Sequence, residues 1–382
     1  MKLDSPTALL GGLSPSAFMK RYWQRKPLLI RQALPRFVPP LKLAQVRKLA
    51  RRDDVESRLI WREDEAWQME PGPFARLPAA RETDWTLLVQ GVDLHDDATA
   101  ALMHRFRFIP DARLDDVMIS IAGDGGGVGP HFDSYDVFLL QAAGRRRWRI
   151  GRQKDLSLDP DAPLKILQNF QPEEEFVLEP GDMLYLPPQA AHDGIAEGPD
   201  CMTISIGFRS PSRAELARGM LETAADTLME TMRGQRLQAL YRDPGQEAVS
   251  TPAALPEAML DEAVKSVQAI RFNHALASRF LGAYLTEPKP GVVFEAPAGL
   301  DVDLVDEWPA SGHLVLDRRT RMLYRDRMLF INGELLELRA GPLLRSLADS
   351  RRLDCSGKSP GEREREMFQE WLEAGWILYR HD

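Results

Sequence analysis

Across residues 117–209 the chain is written in short apolar runs, VMISIA, YDVFLLQ, RRRWRIG, EFVLEPGDMLYLPP and CMTISIGF, each ended by glycine, proline or a polar turn. Runs rich in β-branched and aromatic residues between turn formers are strand signals, and a succession of them points to a sandwich or a barrel. The flanks read differently. Residues 18–33 (FMKRYWQRKPLLIRQA) suggest a short helix passing into a strand at Pro27, and helical spacing covers residues 41–52 and 97–108. After Pro211, Leu216, Met220, Ala224, Leu228 and Met232 recur along one helical face, and residues 258–285 repeat the pattern. Faces this broad need something to bury against. A linker at 286–299 with three prolines marks a boundary. Beyond it, strands around turns, helices near 342–353 and 362–374 and a last strand WILYRH suggest a small winged-helix-like domain. The expected class is α+β, with a strand-built domain over 1–210, a helical region over 211–290 and the winged-helix-like domain over 291–382.

Composition narrows what such a chain can do. With 382 residues and 44% hydrophobic content it can build two or three packed cores. Its net charge of −8 disfavours tight, sequence-independent nucleic-acid binding and favours a basic protein partner. Cys201 and Cys355 are the two cysteines; they form no disulfide framework and no zinc spacing, so a cytoplasmic location is expected. The opening MKLDSPTALLGGLSPSAFMKRYW is interrupted by glycine and proline, and no membrane segment is expected.

The chemistry gathers around GDGGGVGPHFDSYD. A phosphate loop is excluded, because no Lys-Ser/Thr follows and the next element is a strand. His131 and Asp133 stand two apart, so an extended backbone puts both side chains on one face. His192 follows another strand and a proline turn in EPGDMLYLPPQAAHDG, where a barrel can bring it beside them. Two imidazoles and one carboxylate on one side of an ion leave coordination positions open, as in non-haem iron(II) oxygenases. A second H-x-D, at His95 and Asp97, sits where aspartates start a helix, and capping explains it better. His104, His274, His313 and His381 read as surface or packing residues. Gly144 is expected to turn the chain back, after which Arg145 and Arg147 share one face and Arg146 and Trp148 the other. An arginine inside a barrel needs a partner, and a dicarboxylate whose 2-oxo acid end chelates iron would supply it; on an exposed hairpin the same arginines would merely be solvated.

The segments YWQRKPLLIRQA, GGGVGPHFDSYDVFLLQAAGRRRWRIG and LEPGDMLYLPPQAAHDG, taken jointly and in this order, resemble the Jumonji-C (cupin) 2-oxoglutarate oxygenases and, within them, bacterial ribosomal oxygenases of the YcfD type. The resemblance implies a double-stranded β-helix, or jelly-roll, catalytic domain. It implies His131, Asp133 and His192 as iron(II) ligands and Arg146, fifteen positions after the first histidine, as the residue holding the far carboxylate of 2-oxoglutarate. Many Jumonji-C relatives carry lysine there, and arginine belongs to this bacterial branch. Ser120, on the strand before the glycine loop, is either a second donor to the cosubstrate or an ordinary strand serine. A homodimer through the helical region is implied, as is a ribosomal protein substrate, with an arginine of a large-subunit protein hydroxylated. An arginyl substrate calls for a carboxylate and an aromatic face, for which Asp124 and Tyr135 are the candidates, against turn formation and strand packing respectively. Two alternatives stay open: a winged-helix nucleic-acid-binding regulator with a non-catalytic cupin, drawing on Arg318, Arg319, Arg321, Arg325 and Arg327, and another metal-dependent cupin enzyme.

Overall fold

Among the described residues, nine strands of the N-terminal half pair into one antiparallel sheet. In chain order the elements are α1 (Pro15–Arg21), β1 (Leu28–Ile30), α2 (Leu43–Leu49), β2 (Ser57–Glu63), β3 (Ala66–Pro71), β4 (Trp85–Val89), α3 (Asp97–Met103), β5 (Leu114–Ala122), β6 (Val137–Gly151), β7 (Glu174–Leu178), β8 (Met183–Leu186) and β9 (Ala191–Phe208). The computed structural model describes residues 2–64, 66–79, 81–232, 240–268, 270–296 and 302–381, which divide into two units, Met1–Ser210 and Pro211–Asp382. Strand order is β1-β8-β6-β9-β5-β4-β2-β3, with β7 also on β6. Local chemistry sets the helix starts. Ser14 accepts the Ala17 amide and Pro15 opens α1, while Asp96 caps α3 by accepting the Thr99 amide at 2.7 Å. Capping thus accounts for the second H-x-D.

Strands β2, β3 and β4 escape the sequence reading. Charges at Arg58, Arg62 and Glu63 break the apolar alternation of β2, and β3 lies at the sheet edge with no buried residue. Edge strands carry little of the periodic burial on which the reading depends.

The two faces of the sheet pack separately. Phe138, Leu140 and Ala142 of β6 join Ile119 and Ile121 of β5, Tyr185 of β8 and Ile204 and Ile206 of β9 in the large core, which Phe18 of α1 and Val46 of α2 close. Val137 and Leu139 point the other way and pack with Trp148, Ile150, Leu178, Leu184 and Leu186. Odd residues of β6 therefore face this inner side before Ala143, and even residues do so after it. The change of parity has a physical origin: the register with β9 shifts on both sides of Ala143, and Gly144 adopts φ +59°. The surplus residue of β6 lies between Gln141 and Ala143, and Gly144 sits in the second register shift of this bulged region inside one continuous strand, not at the turn expected from sequence. A Cβ there would lie 2.9 Å from Cys201 Cα.

In the second unit, α4 (Arg213–Met232), α5 (Glu257–Gln268) and α6 (His274–Thr286) precede β10 (His313–Leu316), β11 (Met322–Arg325), β12 (Met328–Ile331), β13 (Glu334–Leu336), α7 (Pro342–Ser350), β14 (Arg352–Asp354), α8 (Glu362–Glu373) and β15 (Ile377–Arg380). Two three-stranded sheets, β14-β10-β15 and β11-β12-β13, share a core with Leu344 and Leu347 of α7 and Phe368 and Trp371 of α8. On α4, Ala224 is buried and Leu216 and Met220 are half-buried; Leu228 and Met232 lie outside the described side chains. Helix α5 buries none of its residues. Among the described residues no helix is long and apolar enough to cross a membrane.

The bulge generates a test. Gly144→Val combines a left-handed backbone with a contact closer than side chains tolerate, and it is expected to cost roughly 1–3 kcal/mol. Calorimetry should show a lower unfolding temperature for the N-terminal unit; an unchanged one would mean that the strand accommodates a side chain here.

Candidate metal centre

The glycine loop between β5 and β6 delivers His131 to the start of β9. The His131 amide donates to the His192 carbonyl and the His192 amide to the His131 carbonyl, both at 2.8 Å, forming an antiparallel bridge between two residues 61 apart in sequence. The Gln189 amide donates to the Asp133 carbonyl at 2.7 Å, so the two ligand-bearing segments are tied at three backbone points. Side chains follow the backbone. Histidine ring nitrogens of His131 and His192 and a carboxylate oxygen of Asp133 lie within 4.8 Å of one another, the one such metal-capable group among the described residues. His192 Nε2 is 3.8 Å from Asp133 Oδ2.

Both imidazoles are held in one tautomer. His131 Nδ1 lies 2.8 Å from the Gly129 carbonyl and His192 Nδ1 lies 2.8 Å from the Ala190 carbonyl. A carbonyl only accepts, so each Nδ1 carries the proton and each Nε2 presents a lone pair. Burial, and after it the neighbouring His131, pull His192 down to about 4 against the opposing effect of Asp133, which keeps the ring neutral at neutral pH. Two imidazoles and a carboxylate form a donor set that fits a divalent first-row metal with open positions.

Arg146 stands on β6 beside Trp148. It is 3% exposed, donates from Nη1 to the Gly194 carbonyl at 3.3 Å, and leaves Nε and Nη2 buried with no hydrogen-bond partner among the described residues. Trp148 links it to the triad: the Arg146 guanidinium lies 5.7 Å from the indole centre, and that indole is 5.8 Å from the His192 ring. Gly194, opposite Trp148, must be glycine, since a Cβ would stand 2.6 Å from the indole. Arg145 and Arg147 are exposed; Arg147 pairs with Glu197 and Arg149 with Asp193. A buried guanidinium with two unmatched nitrogens fits an anionic ligand, and its contact with the Gly194 carbonyl, two residues along β9 from His192, fits the far carboxylate of a diacid whose other end reaches the metal position.

The remaining predicted residues are placed as follows. Ser120 is 5% exposed and sits opposite Thr203 of β9, on the face away from Ile119 and Ile121. Tyr135 is 39% exposed; burial of its phenol and the nearby Asp133 and Asp116 raise its pKa, and it hydrogen-bonds Asp133. Asp124 is not brought to the triad. Its carboxylate accepts the Gly198 amide at 2.7 Å, and it lines a surface cavity of about 430 Å³ with Asp84, Arg147 and Arg149. The glycine loop turns Asp124 to the outer surface, the turn-forming alternative.

One cluster went unnoticed in sequence. Asp136 is fully buried and accepts from Tyr185 Oη at 2.6 Å, Gln24 Nε2 at 2.9 Å and Arg113 Nη2 at 3.3 Å. These bonds fix the chain three residues after Asp133. The available signal was an aspartate opening an otherwise apolar strand, which has to be satisfied if buried.

Comparison with known proteins agrees with this geometry. Residues 101–216 match the JmjC domain and residues 269–377 match the ROXA-like winged helix. The ribosomal protein uL16 3-hydroxylase of Escherichia coli (strain K12) is 40% identical over 246 residues, spanning 63% of each chain. A probable ribosomal oxygenase of Haemophilus influenzae is 30% identical across 96% of both chains. The structure of YcfD, a ribosomal oxygenase from Escherichia coli, in complex with cobalt and 2-oxoglutarate superposes with a TM-score of 0.79 at 30% identity, covering 96% of this chain and 98% of that one. With that sequence coverage, the fold and the site alike, the chain belongs to the JmjC ribosomal oxygenases, dioxygenases that use iron(II) and 2-oxoglutarate.

Proposed function

We propose that this enzyme hydroxylates a side chain of a ribosomal protein, an arginine of a large-subunit protein being the favoured target, in the cytoplasm where ribosomal proteins are made. The carrying observation is the His131, Asp133 and His192 donor set together with the buried guanidinium of Arg146, whose Nε and Nη2 have no hydrogen-bond partner among the described residues. His131, Asp133 and His192 are the metal ligands in this reading, Arg146 holds the far carboxylate of 2-oxoglutarate, and Ser120 assists it from the adjoining inner face. Bound iron(II) with 2-oxoglutarate supplies the oxidation, in which dioxygen places one oxygen on a C–H bond and the other in succinate, with release of carbon dioxide.

The chain's own residues set the geometry of that chemistry. The Gly129 and Ala190 carbonyls keep both Nε2 atoms aimed at the metal position. Tyr135, bonded to Asp133, steadies the carboxylate and offers its half-open ring to the substrate. Trp148 and Ile150 line the wall beside His192 and exclude water from the diacid site. The basic target and the acidic chain, at −8, attract one another. Helix α5 supports the homodimer: Leu260, Val264 and Val267 form an exposed stripe at helical spacing, with Leu255 and Phe272 also exposed nearby.

With iron(II), the purified protein is expected to convert 2-oxoglutarate to succinate in the presence of large-subunit ribosomal proteins and to add about 16 Da, one oxygen atom, to one of them. No mass gain on any ribosomal protein would reject the substrate class. Arg146→Met should weaken 2-oxoglutarate by roughly 2 kcal/mol or more, about thirtyfold, yet leave the thermal stability of the ligand-free protein equal or higher, because it removes a buried charge without a partner. A drop in both would assign the arginine to the fold.

The lowered His192 pKa also has a sign. Unfolded, the imidazole takes up its proton near 6.5; folded, near 4. The unfolded state then binds more protons between these values, so metal-free protein should lose stability as pH falls from 6.5 to 4 and regain it on return. His192→Gln should flatten the stability profile in that window, as followed by urea unfolding. For the dimer, Leu260→Glu should shift sedimentation equilibrium toward the monomer; an unchanged mass would exclude α5 from the interface.

A further inference from the structure

The C-terminal unit carries a surface cavity of about 570 Å³ bounded by Tyr324, Arg325, Asp326, Arg327, Arg339 and Arg345. Four guanidinium groups meet one carboxylate there, whereas the whole chain has 49 basic residues to 57 acidic ones. The arginines come from separate places: the end of β11, the two-residue turn into β12, the segment after β13, and α7. Their arrangement is partly fixed in advance. Arg345 donates from Nε to the Ala340 carbonyl at 3.0 Å and lies over the Tyr324 ring at 5.4 Å, and the Tyr324 phenol is held by Asp349 at 2.9 Å. Arg325 reaches Asp326 at 3.5 Å, while Arg327 and Arg339 stand exposed on the rim.

We propose that this cavity binds the phosphate backbone of RNA. Planar guanidinium forks match phosphate oxygens in pairs, and an ordered arginine loses less freedom on binding than four independent surface lysines would. Charge complementarity carries the assignment: four arginines against Asp326 in the lining and Asp349 behind Tyr324 leave a local positive excess in an acidic chain, suited to an anion with repeated phosphates. The choice of RNA over DNA rests on the reading of a ribosomal protein substrate, since such a protein is met together with RNA. The contact is sequence-independent, and the net charge of −8 confines it to this patch and keeps it salt-sensitive.

The experiment is fluorescence anisotropy of a labelled single-stranded RNA titrated with the full chain at salt between about 50 and 200 mM. Binding that weakens steeply with salt is expected. The pair Arg327→Gln and Arg339→Gln should lower affinity about tenfold at the low-salt end and reduce the log–log salt slope by about 1.4, at roughly 0.7 per lost phosphate contact. The pair Arg76→Gln and Arg81→Gln, exposed in the N-terminal unit, should leave both unchanged. Thermal melts of all variants report folding. Absence of RNA binding by the wild type, equal loss in the control pair, no loss in the Arg327 and Arg339 pair, or capture of polyglutamate in preference to RNA each overturns the proposal. None depends on hydroxylation, so a wrong protein substrate would show in the mass assay and leave the anisotropy result standing.

Discussion

The antiparallel ladder between β6 and β9 is the constraint from which the site follows. It runs from Val137 opposite Gly207 to Gly151 opposite Ala191, and both halves of the candidate site hang on it. β9 supplies His192 at one end and the Gly194 carbonyl that steadies Arg146; β6 supplies Arg146 and Trp148 on the facing strand. The remaining ligands arrive through a loop that docks on the same strand, by the paired amides of His131 and His192. A candidate metal triad drawn from residues 61 positions apart is thereby held by main-chain bonds, whose geometry does not depend on side-chain rotamers.

The buried groups around the candidate site are costly to the fold. Burying a guanidinium with two unmatched donors opposes folding by several kcal/mol, and holding His192 neutral in a dry wall opposes it further at low pH. The large core around Phe18, Phe138 and Tyr185 outweighs these terms, and the Asp136 cluster shows how the same chain treats a charge that has no ligand to wait for: it surrounds it with three donors. Within one sheet, then, Asp136 is buried with its hydrogen bonds satisfied and Arg146 is buried with two nitrogens unmatched.

The sequence disclosed the parts of the molecule that obey short-range rules. Strand runs between turn formers, the capped helix at Asp96, and the period-two relation of His131 to Asp133 are local, and the structure contains them. That Arg146 and Trp148 share a face was also local, a matter of alternation, whereas the side on which that face lies depends on the register shifts around Ala143. What escaped was set by tertiary context. A glycine inside a strand-like run reads equally as turn or bulge, and only the pairing with β9 decides for Gly144. Whether a loop aspartate looks into the cavity or out of it is likewise undetermined by its neighbours in the chain, and Asp124 looks out. The edge strands β2 and β3 lacked the alternation that would have announced them.

The bulged region around Ala143 and Gly144 gives the fifteen-residue interval between His131 and Arg146 a meaning beyond length. Because one surplus residue exchanges the two sides of a pleated ribbon, a homologue that straightened this strand would carry its anchoring cation on the wrong side at the same interval, and would need that cation moved by an odd number of positions. Counting from the first ligand is therefore a safe way to transfer the anchor between relatives only where the irregularity is inherited along with it.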